Sequence, residues 1–244
     1  MHLLIFPNLA ISMYGAIPYA SHLWSIGTEE WFYLLWPLLI KKIKNKLWFF
    51  VGVFASYSAA KLILLILAKY FSFAKIILKF WYYFNIDCVA IGAIAAYLII
   101  HNKQKILFII YSKTVQFSTY SIVIILIPNS YQFKLLYYEL YGVLFAIVIL
   151  NLGCNNNNII NLENSVLNFL GKISYGIYMY HFIALNTAIR ILQHYYFVKS
   201  LAIYILAFLI TVLLSSLSYY LFENYFLKWK TRYVYLRNKN YQLL

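Results

Sequence analysis

Long apolar runs recur along the whole chain, and short basic or polar stretches separate them. An apolar run of about 20 residues is long enough to cross a bilayer as a helix. The pattern therefore predicts an all-α fold, a polytopic membrane bundle of about seven transmembrane helices. The predicted spans are 23–40, 47–68, 81–100, 106–127, 136–152, 166–192 and 200–222.

Prolines and polar residues set the expected limits of these spans. Pro7 and Pro18 break the apolar start of the chain, so a short or partial helix is predicted there. The lysines within 69–79 predict a loop, and the tripeptide starting at Pro128 predicts a turn. The four asparagines of Asn155–Asn158 predict a short polar loop after the fifth span.

Composition excludes a soluble globular domain. The 244 residues are 64% hydrophobic and 11% charged, and a soluble protein needs more polar cover than that. The net charge of +14 comes from lysines and arginines clustered between apolar runs, which is typical of loops facing anionic lipid. We therefore expect contact with the lipid bilayer and no nucleic acid. The two cysteines lie far apart and predict neither a disulfide framework nor a metal site.

The distribution of basic residues predicts an orientation in the membrane. If the loop at 41–46 is cytoplasmic, the inner segments hold eleven Lys and Arg residues and the outer loops hold five. This bias agrees with the positive-inside rule. The C-terminus is then expected in the cytoplasm, and the segment from Ser21 to Glu30 at the outer face.

That outer segment concentrates the candidate chemistry, in a chain that has only six acidic residues. Thr28 is a plausible helix N-cap, which would place Glu29 and Glu30 in the first turn, where the helix dipole favours negative charge. Two interpretations stay open: a charged helix start that caps and anchors, or a carboxylate that orients or deprotonates a polar partner. Ser25 shares a face with Glu29 if the helix starts early. For His22 two positions stay open, at the same site or in the membrane interface.

Polar residues inside later spans are further candidates. Asp87 needs a partner that its own helix does not offer, so an ion pair to another helix and a substrate contact both stay open. Ser174, Tyr178 and His181 share a helix face, with His181 either a packed histidine or a base. Glu223 is expected at the inner end of the last helix, as a cap or a tether.

Four segments, in order along residues 22–227, carry a family signature. Trp24–Tyr33 is similar to the motif W-S-L-x-x-E-(E/Q)-x-F-Y, with Ile26 at the usual Leu position. The other three segments are similar to R-x-D-x-L-x-x-G, L-G-x-I-S-Y-x-x-Y-L-x-H and L-S-x-x-x-x-E, and they are Phe84–Gly92, Phe169–His181 and Leu217–Glu223. Together the four resemble the acyltransferase-3 family of integral membrane O-acyltransferases.

The resemblance implies an acyltransferase-like transmembrane domain over 1–227 and a basic cytoplasmic tail over 228–244. It implies transfer of an acyl group, most often acetyl from acetyl-CoA or another acyl-CoA, to a hydroxyl of an extracytoplasmic glycan or lipid-linked saccharide. The expected partners are thus acyl-CoA and a cell-envelope saccharide, with no bound cofactor. The expected location is the bacterial inner membrane.

The resemblance also implies roles for the candidate residues. A carboxylate at Glu29 would position or polarise the acceptor or a histidine base, within a catalytic group that comprises Glu29, Glu30, His22 and Ser25. Residues expected to support the substrate cavity are Trp24, Tyr33, Asp87, Ser174, Tyr178 and His181. Glu223 is expected to be structural.

One family feature has no counterpart here. The family places its catalytic histidine on a first helix with the pattern R-x(10)-H, which this sequence does not match. The chain thus resembles the C-terminal two-thirds of a family member, and we expect it to be N-terminally truncated. Several alternatives stay open: a chain inactive by itself, a separate chain that supplies the missing helices, a transporter or export component for lipid-linked sugars, and a non-catalytic membrane remnant.

Overall fold

A computed structural model describes residues 7–15, 22, 24–129, 137–193 and 200–230. Across these ranges the chain is helical with short connections and has no strand, which confirms the predicted all-α class. Contacts within the chain divide it into two compact units, and the boundary between them in the sequence follows Asn161. The predicted single domain over 1–227 stays a prediction, as does the tail over 228–244, most of which lies outside the described residues.

The first unit contains eight described helices in chain order. They are α1 (Pro7–Tyr14), α2 (Trp24–Lys42), α3 (Lys46–Leu67), α4 (Ser72–Phe84), α5 (Ile86–Ile100), α6 (Gln104–Ile110), α7 (Lys113–Asn129) and α8 (Tyr137–Cys154). The second unit contains α9 (Ser165–Lys172), α10 (Ser174–Leu192) and α11 (Ser200–Ser218), and α11 continues through a π-helical segment at Tyr219–Glu223. The start of α1 at Pro7 confirms the short helix predicted near the N-terminus.

Four of the described helical stretches are long and apolar enough to cross a membrane: 46–67, 72–100, 137–154 and 200–230. The α6–α7 pair, bent by 54°, would be a fifth. The predicted count of seven is therefore not confirmed. Helices α2 and α10 occupy two other predicted spans, but α2 carries two glutamates and two lysines, and polar side chains lower the hydropathy of α10.

The prediction of a loop over 69–79 was wrong for most of that segment. Helix α4 begins at Ser72, and Lys75 and Lys79 lie one turn apart on its exposed side while Ala74 is buried. The predicted span 81–100 is also broken. Between α4 and α5, Asn85 adopts a left-handed conformation (φ 41°, ψ 41°), which asparagine tolerates better than most residues.

The break at Asn85 frees backbone carbonyls that a continuous helix would have used, and side chains from α1 and α2 satisfy them. The Thr28 hydroxyl donates to the Phe84 carbonyl at 3.0 Å. The Asn8 amide donates to the Tyr83 carbonyl at 3.0 Å and to the Thr28 hydroxyl at 3.0 Å. A buried carbonyl without a donor is costly in a bilayer, so these bonds are what permits the break.

The N-cap predicted at Thr28 was therefore wrong. Helix α2 begins one turn earlier, at Trp24, and no acidic residue lies in its first turn. Glu29 and Glu30 lie in the second turn instead. The physical reason is that the Thr28 hydroxyl serves the carbonyls of the α4–α5 break rather than the start of its own helix.

The bend between α6 and α7 is satisfied in a similar way. Asn151 donates to the Ile110 carbonyl at 3.1 Å, and both Gln116 (2.8 Å) and Asn155 (3.3 Å) donate to the Tyr111 carbonyl. The polar loop predicted after the fifth span is confirmed, since α8 ends at Cys154. Of the turn predicted at residues 128–130, the first two residues are still helical, and the last lies outside the described ranges.

In the second unit, the predicted continuous helix over 166–192 is interrupted at Ile173, which lies between α9 and α10. Lys172 and Ser174 flank Ile173, and Gly171 and Gly176 lie close by, so the apolar run is briefly interrupted at the break. Glu223 is not at a helix end, because the helix continues to Lys230. Its carboxylate accepts a hydrogen bond from Ser218 at 3.0 Å, and Ser218 accepts one from Tyr180 of α10 at 3.3 Å.

Close packing of α10 on α11 leads to a first prediction. A Cβ added at Gly176 would lie 2.9 Å from the Cα and Cβ of Ser215, so Gly176→Ala must push the two helices apart. We expect the thermal stability of the detergent-solubilised protein to fall, by about 1–3 kcal/mol in unfolding free energy, as in other overpacked sites. The control is Gly171→Ala, where a Cβ meets nothing within 4 Å. Equal stability of the two variants would contradict this packing.

Candidate functional site

An apolar groove of about 590 Å³ lies in the first unit along helices α2, α3 and α5. Helices α2 and α5 run along the length of the groove. Glu29 therefore lies near one end of the groove, and Lys46 and His101 lie near the other. Glu29 and Ile40 are both in the lining, and eleven residues of helix span about 16 Å. The groove is thus long and narrow, with a carboxylate near one end.

The shape of this apolar groove follows from the side chains along its walls. Small residues on α5, Gly92 and Ala96 among them, leave space that larger residues would fill, and a Cβ added at Gly92 meets nothing within 4 Å. Aromatic side chains form the opposite wall, where the buried Trp36 ring stacks on Phe50 at 5.7 Å. A groove of this volume and lining suits an extended, largely apolar ligand.

A second cavity of about 700 Å³, which we call the basic mouth, adjoins the apolar groove. Both cavities are lined by Tyr33, Trp36 and Ile40. The lysines of this basic mouth come from the end of α2, the connection after it and the start of α3, and they are Lys41, Lys42, Lys44 and Lys46. The four ammonium groups make the basic mouth suited to a polyanion, next to a groove suited to an apolar chain.

The four predicted catalytic residues lie in or just before helix α2, and they differ in exposure. Glu29 lines the apolar groove with an exposed side chain, whereas His22, Ser25 and Glu30 are not in its described lining. His22 is buried, Ser25 is partly buried and Glu30 is exposed. Because α2 starts at Trp24, Ser25 and Glu29 do have the predicted one-turn spacing.

Two of the predicted cavity-supporting residues lie on α2 as well. Tyr33 is 66% exposed and lines both the apolar groove and the basic mouth. Trp24 contacts Tyr83 and Tyr138, with ring centroids 5.6 and 6.4 Å apart, and so holds the start of α2 against α4 and α8. Trp24 therefore supports the position of α2 and is not in the described lining of the groove.

Asp87 has its partner on another helix, one of the two alternatives that its sequence context left open. Lys61 of α3 lies 3.3 Å from the Asp87 carboxylate and 2.5 Å from that of Glu139 on α8. All three side chains are buried. Lys61 and Glu139 were not among the candidates predicted from the sequence. Each is the single charged residue in its predicted span, which is the signal that would have found them.

The remaining candidates lie in the second unit and are described by themselves. Ser174 is the first residue of α10 and is exposed, and Tyr178 and His181 are partly buried. The Nδ1 atom of His181 lies 2.6 Å from the Tyr178 carbonyl oxygen, and its ring packs on Phe182 at 4.7 Å. This is the environment of a packed, hydrogen-bonded histidine.

Among the described residues, no group of three or more His, Cys, Asp and Glu side chains is placed to hold a metal ion. What the first unit offers is a carboxylate on an apolar groove, and the basic mouth beside that groove. Such an arrangement can bind a molecule with a polyanionic head and an extended arm. It can bring the end of that arm to a carboxylate.

Comparison with known protein families gives a match over most of the chain. The model of the acyltransferase-3 family, described as an acyltransferase domain, matches residues 5–220. No curated protein and no solved structure matches the chain. The matched region contains the apolar groove, the basic mouth and the Lys61–Asp87–Glu139 contacts.

Proposed function

The chain belongs to the acyltransferase-3 family, and on this premise we propose that it transfers an acyl group from acyl-CoA to a hydroxyl of a saccharide. The family implies a membrane acyltransferase. The donor, the acceptor and the residues that act on them are the part we propose. The observation that carries the proposal is the apolar groove, which links the basic mouth to Glu29.

The donor fits this pair of cavities by its chemistry. Coenzyme A carries several phosphate groups at one end and a pantetheine arm with the acyl thioester at the other. Phosphates are favourable partners for the ammonium groups of Lys41, Lys42, Lys44 and Lys46, which line the basic mouth. The arm would lie in the apolar groove, between the small residues of α5 and the aromatic wall, with the thioester toward Glu29.

In the proposed transfer, the acceptor hydroxyl oxygen attacks the thioester carbonyl carbon. The Glu29 carboxylate takes the hydroxyl proton as the C–O bond forms, and the C–S bond breaks to release coenzyme A as thiolate. The thiolate then takes this proton from Glu29, so the products are an ester and a free thiol and the carboxylate is regenerated. Glu29 is the candidate general base because its side chain is exposed to the groove.

The proposed sidedness follows the distribution of charge. The basic mouth would face the cytoplasm, where acyl-CoA is made, in keeping with the positive-inside rule. Glu29, eleven residues up α2 from Ile40, would then lie toward the outer half of the membrane, near an extracytoplasmic acceptor. We propose acetyl as the acyl group and a cell-envelope glycan or lipid-linked saccharide as the acceptor.

Neutralising the basic mouth tests the proposed function. In the chain purified in nanodiscs, changing Lys41, Lys42, Lys44 and Lys46 together to Gln should weaken coenzyme A binding at least tenfold, because the phosphates lose their cationic partners. Transfer of radiolabelled acetyl from acetyl-CoA to an envelope saccharide should show a raised KM for the donor. Increasing salt should weaken binding to the unchanged chain and have little effect on the variant.

The control is the change of Lys69, Lys75 and Lys79 to Gln, which removes three exposed lysines elsewhere in the first unit. It should leave coenzyme A binding unchanged. Equal binding by both variants would refute the basic mouth as the donor site. A chain that binds coenzyme A but transfers no acetyl to any saccharide tested would refute the proposed acceptor.

A further inference from the structure

Three charged side chains from three helices meet inside the first unit, apart from the residues of the proposed reaction. They are Lys61 on α3, Asp87 on α5 and Glu139 on α8, and they are 1%, 0% and 4% exposed. We call them the charged cluster. Ionisable residues inside membrane helices are costly, so a cluster of three requires an explanation.

The contacts of the charged cluster centre on the lysine. The Lys61 ammonium donates to the Asp87 carboxylate at 3.3 Å and to the Glu139 carboxylate at 2.5 Å. It also lies 5.1 Å from the ring centroid of Tyr82, a favourable cation–π distance. The other Asp87 oxygen accepts the backbone N–H of Cys88 at 3.0 Å.

The charges of this cluster do not balance if every group is ionised. One ammonium faces two carboxylates, which leaves a net charge of −1 in a buried site. The second Glu139 oxygen is buried and accepts no hydrogen bond from any described residue. The Asp87 and Glu139 carboxylates contact the same ammonium group, at 3.3 and 2.5 Å, and therefore lie side by side. Two carboxylates that share one buried site favour holding one proton between them.

We propose that the charged cluster is a proton-binding site, in which the Asp87–Glu139 pair holds one exchangeable proton. With that proton, the cluster is neutral: one ammonium, one carboxylate and one carboxylic acid. The acid then has a hydrogen to donate to the other carboxyl group. The proposal does not depend on the acyl-transfer function, because it rests on residues that the proposed reaction does not use.

The surroundings of the charged cluster are otherwise neutral at physiological pH. The titratable groups that face it are Tyr57 on α3, Tyr82 on α4, Cys88 on α5 and Tyr138 on α8. These tyrosines and the cysteine bring no further charge, so the proton balance is set by the three cluster residues.

A cavity on one side of the charged cluster would give the proton a route to water. Tyr82, which contacts Lys61, and Tyr138, which precedes Glu139, both line a cavity of about 320 Å³. Lys75 and Lys79 on the exposed side of α4 line it as well.

Infrared spectroscopy of the full chain in lipid tests the proposal. The unchanged protein at neutral pH should show a carbonyl band of a protonated carboxylic acid that shifts in D₂O. Asp87→Asn and Glu139→Gln should each remove that band, because each leaves one carboxylate to one ammonium. Glu163→Gln, at an exposed position in the second unit, should retain it. No such band in the unchanged protein, or its persistence in both cluster variants, would overturn the proposal.

The pH dependence of thermal stability gives a second readout. At neutral pH, the folded chain would hold one more proton than the unfolded chain, in which carboxyl groups are ionised. Stability should therefore fall as the pH rises through the value at which the folded cluster releases its proton. Glu139→Gln should remove this fall while the protein stays folded. A Glu139→Gln protein that keeps the full slope of the unchanged protein would contradict the site.

Discussion

Replacing Lys61 with methionine is expected to lower the free energy of unfolding by about 3–5 kcal/mol, the usual cost of removing one partner of a buried ion pair. The ammonium contacts both carboxylates of the charged cluster, at 3.3 and 2.5 Å. Without it, Asp87 and Glu139 are two buried acids with no cation. Methionine is unbranched and only one heavy atom shorter than lysine, so the effect measured is mainly electrostatic. Thermal or denaturant unfolding in nanodiscs provides the measurement.

Two controls separate charge from packing. Lys69→Met changes an exposed lysine just after α3 and should leave stability nearly unchanged. The triple variant Lys61→Met, Asp87→Asn and Glu139→Gln removes every charge of the cluster and should recover most of the lost stability. If the triple variant is as unstable as the single one, packing rather than charge explains the loss.

Changing Glu29 to glutamine is expected to reduce acyl transfer by about 10²–10⁴-fold, the range usual for loss of a general base. Glutamine has the shape of glutamate but does not take a proton from the acceptor hydroxyl. Coenzyme A binding should be unchanged, because the basic mouth is intact. The measurement is kcat for transfer of labelled acetyl, together with the dissociation constant for coenzyme A.

Glu30→Gln is the matched control, since Glu30 is the next residue on α2 and is not in the described lining of the groove. It should keep most of the activity. Equal rates for Glu29→Gln and the unchanged chain would rule out the proposed base. Equal losses in both variants would mean that the pair acts through its total charge.

The sequence predicted the helical class and the approximate position of most helices, because apolar runs of helical length carry that information. It did not predict the breaks at Asn85 and Ile173. At Ile173 the interruption by Lys172 and Ser174 is short, and such polar residues also occur inside helices. The break at Asn85 depends on hydrogen bonds from Asn8 and Thr28, far away in the chain. The same tertiary bonds explain the wrong N-cap at Thr28.

The candidate site, too, could be predicted from the sequence only in part. The sequence identified Glu29 by its motif, and the structure then placed it on the apolar groove. Asp87 was identified as a costly acid that needs a partner. Its partner Lys61 is 26 residues away, and Glu139 is 78 residues from that lysine, so no local pattern joins them. Only the packing of α3, α5 and α8 brings the three together.

The hydrogen bonds at the Asn85 break and at the α6–α7 bend also imply an order during synthesis. Asn8 and Thr28 precede the Tyr83 and Phe84 carbonyls that they satisfy, so the ribosome delivers the donors first. The break at Asn85 can therefore close as soon as its helices enter the bilayer. The α6–α7 bend is the reverse case, because Asn151, a donor to its Ile110 carbonyl, is made 41 residues later. Until α8 is translated, water or the insertion machinery has to donate a hydrogen bond to that carbonyl. The arrival of α8 is therefore the step that completes the first unit.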